Sequence, residues 1–207
     1  MAEIIRIYSD NPNPKALAKV VEVLNRGGVI VYPTDTVYSF GCDISKPKAI
    51  ERIARLKGLK PEKAEFAIVF YDLSNLSEYT KSVDTPTYKI LKRCLPGPFT
   101  FILNASSAIP KFFQKKRKTV GIRIPDNSIP REIVALLGRP IIASSVHDDD
   151  AILEYTTDPE LIAEKFDNDV DLVIDGGIGN LYASTVVDLS EGEVSIIREG
   201  RGDISKL

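Results

Sequence analysis

The stretch Val29-Ile30-Val31-Tyr32-Pro33-Thr34-Asp35-Thr36-Val37-Tyr38 changes character at a single residue. Four β-forming residues run without a polar break, which suits a short strand buried on both faces. Proline ends the strand. Two hydroxyls and a carboxylate then crowd the next three positions. Loops that leave strand ends in a layered sheet are common carriers of ligand-binding groups. The same side chains can also close a turn on their own backbone. Both readings make Val29–Tyr32 a central strand.

Outward from this strand the chain alternates strands and helices. Before it, Ile4–Tyr8 reads as a strand. Asn13-Pro14 then opens a helix, with Asn capping and Pro at the first helical position. Leu17, Val20, Val21 and Leu24 supply its apolar stripe, and Gly27 or Gly28 ends it. After it, Ser45 is expected to cap a helix bearing Ile50, Ile53 and Ala54. Strands are expected at Phe66–Phe70, Phe99–Leu103, Thr119–Ile124 and Pro140–Ser144, with helices at Pro86–Cys94 and Ser128–Leu137. Asp158-Pro159 opens a last helix with Leu161, Ile162 and Phe166 inward. Asp171–Ile174, Thr185–Leu189 and Val194–Ile197 finish as strands. This is a single α/β domain spanning 1–207, with a twisted open mixed sheet and flanking helices. Part of the sheet is antiparallel, because the late strands lack intervening helices.

Composition narrows the function classes. The 207 residues are 43% hydrophobic and 27% charged, ordinary for a globular chain. No apolar run approaches the ~20 residues of a membrane span, and the N-terminus shows no signal-peptide pattern, so a cytoplasmic location and no membrane partner are expected. Cys42 and Cys94 form no C-x-x-C and read as reduced core thiols. His147 is the only histidine, which excludes a multi-histidine metal centre. The net charge of −2 conceals a split. Residues 1–123 hold 21 Lys/Arg and 11 Asp/Glu; residues 124–207 hold 6 and 18. Basic residues cluster from Lys46 to Lys63 and from Lys111 to Arg123. Such asymmetry favours an anionic partner, while its bland form is two solvated faces.

Standard nucleotide fingerprints are absent. There is no phosphate-binding G-x-x-x-x-G-K-[ST], and Gly177-Ile-Gly179 lacks a glycine at position 182, so Asp175–Asn180 reads as a tight loop.

The series Pro33-Thr-Asp-Thr-Val-Tyr38 with Gly41, Lys57-Gly58, Leu95-Pro-Gly-Pro-Phe-Thr100, Thr119-Val-Gly-Ile-Arg-Ile-Pro125, Ser144-Ser145, Ser184-Thr-Val-Val-Asp188 and Ile197-Arg-Glu-Gly200 resembles, in order, the motifs of the YrdC/YciO-like family. The resemblance covers nearly the whole chain. It implies a twisted sheet with a concave basic surface. It also implies synthesis of L-threonylcarbamoyladenylate, from L-threonine, bicarbonate and ATP with Mg2+, toward tRNA modification. Double-stranded RNA binding is implied as an alternative. Carried over by position, Thr34 lines the threonine pocket with Tyr38 nearby. Lys57, Arg123 and Arg198 face carboxylate and phosphates, and Ser145 and Ser184 supply hydrogen bonds. No covalent catalyst and no protein metal ligand is implied; positioning and charge neutralisation suffice. Each assignment has a plainer reading: Lys57 as a helix C-terminal charge, Arg123 as an outward-pointing strand residue, Ser184 as a strand-end hydroxyl.

Two motifs depart from the pattern of active members. Their K-x-R is Lys57-Gly58-Leu59 here, and Lys60 cannot reproduce an arginine fork. A lost charge-assisted contact costs ~1.5–3 kcal/mol. Their S-x-N is Ser145-Val146-His147, followed by Asp148-Asp149-Asp150. These departures resemble the YciO-type branch. They lead to three expectations: a weak or altered synthase, an RNA-binding module, or a nucleotide-binding protein with a different acceptor.

Overall fold

The computed structural model describes residues 2–60, 64, 66–109, 118–146 and 156–207. His147, Asp148–Asp150, Lys63 and, of the Lys111–Arg123 cluster, Lys111 to Arg117 lie outside the described residues.

The elements in chain order are β1 (Glu3–Arg6), α1 (Pro14–Asn25), β2 (Ile30–Tyr32), β3 (Ser39–Asp43), α2 (Pro47–Leu56), β4 (Ala67–Val69), α3 (Leu76–Tyr79) and α4 (Thr85–Cys94). They continue with β5 (Phe99–Asn104), β6 (Thr119–Arg123), α5 (Ser128–Leu137), β7 (Ile141–Ser145), α6 (Pro159–Lys165), β8 (Leu172–Asp175), β9 (Thr185–Asp188) and β10 (Ser195–Arg198). The ten strands form one sheet in the order β1-β8-β2-β3-β7-β4-β6-β5-β9-β10. The sheet is mixed. β8 runs parallel to β1 and β2, β4 to β6 and β5 to β9, while the remaining neighbours are antiparallel. Among the late strands it is β9 and β10 that pair antiparallel.

Helices cover both faces, each through its apolar stripe. Leu17, Val20 and Leu24 of α1 and Ile129 and Ile133 of α5 share one buried cluster with Ile30, Tyr32 and Ile174. Ile50 and Ile53 of α2, Leu91 of α4 and Ile162 of α6 pack in the other with Val31, Phe40, Ile68 and Phe101. In α6, Ile162 is buried and Leu161 only partly so, while the Phe166 ring beyond its end meets Phe40 edge-on at 5.0 Å.

Local signals placed most boundaries. Asn13 Oδ1 accepts from Lys15 N and Ala16 N, with Pro14 beginning α1. Asp158 caps α6 in the same manner, and Gly138 closes α5. Ser45 is a correction. Position Lys46 caps α2 without a side-chain bond, and the Ser45 hydroxyl instead donates to Asp43 Oδ1 at 2.8 Å. Asp43 also takes the Arg139 guanidinium, so a stronger acceptor captures the hydroxyl.

Candidate functional site

The loop between β2 and β3 is built around a one-way chain of hydrogen bonds. Arg123 Nη2 donates to Thr36 Oγ1 at 3.0 Å, and Thr34 Oγ1 donates to the Val37 carbonyl at 2.8 Å. The two threonine oxygens lie 3.0 Å apart, so Thr36 donates to Thr34. Thr36 N closes the turn on Thr34 Oγ1. The Thr34 hydroxyl is thus occupied in shaping the loop.

Asp35 is the junction of the site. Its carboxylate accepts from Arg123 Nη2 at 2.9 Å and from Asp126 N at 3.1 Å. Its carbonyl accepts from Arg201 Nη1 and Asn180 Nδ2. Arg123 does not point outward: the whole residue is only 5% exposed. Its Nε is buried with no hydrogen-bond partner, a costly condition for a charged group.

Tyr38 anchors the neighbouring glycine loop. Its hydroxyl donates to the Gly177 carbonyl at 2.6 Å and accepts from Gly176 N at 3.1 Å. Burial pushes its pKa up to about 12, so it stays protonated as a donor. The 175–180 segment is the tight loop that the sequence suggests. Gly177 takes φ +91°, and Asp175 Oδ1 accepts its N–H.

Lys57 follows α2. Gly58 adopts φ +62°, and Leu59 N bonds back to the Ala54 carbonyl, which ends the helix in a left-handed cap. The Lys57 ammonium donates to the Ser145 carbonyl at 2.9 Å. Ser145 pairs with Ser39 across β7 and β3, and Val146 N bonds the Tyr38 carbonyl. Lys57 and Ser145 are therefore tied to the same loop.

The third group comes from the sheet's far end. Ser184 Oγ lies 2.8 Å from Thr100 Oγ1 on β5. The Ser184 carbonyl accepts from Arg198 Nε and Nη2 at 3.3 and 2.9 Å. Partial burial, and the like charge of Arg123, lower the Arg198 pKa. The positive charge of Arg123 thus reaches Arg198. Of the seven residues singled out from the sequence, Thr34 and Arg123 share the Asp35 loop, Lys57 bonds Ser145 beside Tyr38, and Arg198 bonds Ser184. Asp35, Thr36, Asn180 and Arg201 join the first of these groups without having been assigned roles. Asp35 and Thr36 stand inside the quoted motif, and Arg201 follows Gly200 directly.

Among the described residues no three His, Cys, Asp or Glu side chains converge as metal ligands.

The class is an α/β protein on a mixed sheet, with a polar, arginine-rich site fed by strand-end loops. The chain belongs to the Sua5/YciO/YrdC family, whose model, described as "Telomere recombination", matches residues 22–200. It is 38% identical over 206 residues to the uncharacterized protein YciO of Escherichia coli K12, covering 99% of this chain and 98% of that protein. The crystal structure of Escherichia coli YciO superposes with a TM-score of 0.91, covering 100% of this chain and 99% of that one. Threonylcarbamoyl-AMP synthase of Pyrococcus abyssi is 29% identical over 178 residues, 86% of this chain and 52% of the synthase. Pyrococcus abyssi Sua5 complexed with L-threonine superposes with a TM-score of 0.83 at 26% identity, covering 95% of this chain and 57% of Sua5.

Proposed function

We propose that this protein binds ATP and acts as a weak or altered L-threonylcarbamoyladenylate synthase in a pathway of tRNA modification. The observation that carries the reading is the excess of guanidinium over carboxylate at the site. Arg123 and Arg201 meet at the loop of Asp35, whose carboxylate is already taken by Arg123, and Arg198 bonds Ser184 next to the residue that holds the Arg201 backbone. Family membership and the L-threonine complex of a distant relative supply the second substrate.

In this reading the neutral threonine amine attacks CO2, forming an N–C bond and passing a proton to water, or attacks bicarbonate, forming the same bond with loss of water. A carbamate oxygen then attacks the ATP α-phosphorus, and the bond to pyrophosphate breaks. Mg2+ accompanying the nucleotide would supply further charge neutralisation. The chain's residues position and neutralise: Arg123 and Arg198 face phosphate charge, while Lys57 and Ser145 line the acceptor side. Thr34 and Tyr38 hold the loops in shape. Such preorganised charge is a sufficient source of catalysis for phosphoryl chemistry. Pyrophosphate release that requires both L-threonine and bicarbonate is expected. Release no higher than a control lacking threonine would sink the proposal.

A second reading, binding of double-stranded RNA without synthesis, is favoured by α2 and its exit. Lys48, Arg55 and Lys60 are exposed there, whereas Arg52 is spent on Asp171.

A further inference from the structure

Arg201 lies one residue past the segment that the family model matches. Its backbone is nonetheless held as firmly as any part of the site. Arg201 N bonds the Ala183 carbonyl at 2.8 Å. On either side of it, Gly200 N and the Gly202 carbonyl both engage Thr185 Oγ1, at 3.0 and 2.8 Å. Gly200 packs so closely on residues 183 and 184 that a Cβ would sit 2.4 Å from the Ala183 carbonyl oxygen. The side chain then crosses to the β2–β3 loop, where Nη1 donates to the Asp35 carbonyl.

That single contact uses one of the guanidinium's five N–H groups. Arg201 makes no ion pair among the described residues, and it is exposed. An arginine needed only to hold a carbonyl would not require a full charge beside two others. Asp35 therefore treats its two arginines differently. Its carboxylate compensates Arg123, and its carbonyl orients Arg201 without compensating it. Arg198 likewise bonds only uncharged oxygens of Ser184.

We propose that Arg201 is a phosphate-binding residue of this site, acting beside Arg198 on the phosphate chain of the nucleotide. The inference rests on the nucleotide reading above, and it adds a ligand-facing charge from outside the matched family segment. Two requirements separate it from a structural role. A phosphate contact needs the positive charge; a strut to the Asp35 carbonyl needs only an N–H donor.

The test is calorimetric titration of the full chain with inorganic tripolyphosphate at fixed ionic strength, using wild type, R201A, R201Q and R201K. R201Q keeps an N–H donor and drops the charge, while R201K keeps the charge. Expected is a loss of roughly ten- to a hundred-fold in affinity for R201A and R201Q, with most of it recovered in R201K. Unliganded thermal midpoints of the three variants check that each is folded. Wild-type affinity in R201A or R201Q overturns the proposal and leaves the nucleotide reading standing. Recovery by R201Q but not by R201K assigns Arg201 to the strut and also overturns it. Absence of tripolyphosphate binding in the wild type overturns both.

Discussion

The Asp35 carboxylate and the Arg123 guanidinium, 88 residues apart in the chain, meet at 2.9 Å with side chains 7% and 6% exposed. An ion pair so deeply buried owes little to surface electrostatics. Its worth lies in what happens when one partner is removed, because the other is left charged and desolvated. Arg123→Ala is expected to cost about 3–5 kcal/mol of stability, read as a lower urea midpoint. A midpoint unchanged from wild type would show that water reaches Asp35 freely.

The pair Asp43 and Arg139 makes a parallel case with a pH signature. The Asp43 side chain is fully buried. Burial raises its pKa, but the Arg139 and Ser45 hydrogen bonds outweigh that and leave it lowered. A folded-state pKa below the unfolded value stabilises above the unfolded value, and the benefit is lost as pH falls through the folded one. Stability of the wild type should therefore drop on acidification below about pH 4 more steeply than that of Asp43→Asn. Equal acid slopes for the two chains would contradict this.

At the alkaline end Tyr38 sets a limit of opposite sense. Its pKa rises from 10.0 to about 12, so the folded chain retains a proton that the unfolded chain loses. Its contribution is complete below pH 10 and disappears as pH climbs toward 12. Tyr38→Phe should weaken the chain at neutral pH by about 1–3 kcal/mol, because Gly176 N and the Gly177 carbonyl lose their partner. It should also flatten the alkaline fall, as followed by circular dichroism across pH 9–12.

Gly200→Ala addresses how the arginines are placed. A methyl group there collides with the Ala183 and Ser184 backbone, so the segment carrying Arg198 and Arg201 must lift away. Loss of tripolyphosphate affinity together with a lower thermal midpoint is expected. Unaltered binding would mean that the segment has room to adjust.

RNA binding has its own signature. If the exposed basic residues of α2 engage phosphates, the logarithm of affinity for a double-stranded RNA falls linearly with the logarithm of salt concentration. Exchange of Lys48, Arg55 and Lys60 for Glu should shrink that slope. Affinity independent of salt removes this reading.

Most of the fold was legible because its signals are local: Asn13-Pro14 and Asp158-Pro159 open helices, and Gly138 ends one. β3 escaped notice because Ser39–Asp43 is buried at every position and so shows no alternation, with Gly41 in its middle. The single turn α3 is too short for a period. The bonding of the residues singled out for the site was not readable. That the Thr34 and Tyr38 hydroxyls are consumed by the backbone depends on geometry. So does the role of Asp35, whose partners come from positions 123, 126, 180 and 201.

Those separations bear on the order of assembly. A loop laid down near residue 35 waits for the chain to reach residue 201 before its last arginine arrives, and contacts so distant in sequence form late because loop closure precedes their reward. On the ribosome the Asp35 junction is thus among the later parts to mature, closing only once residue 201 has emerged and docked.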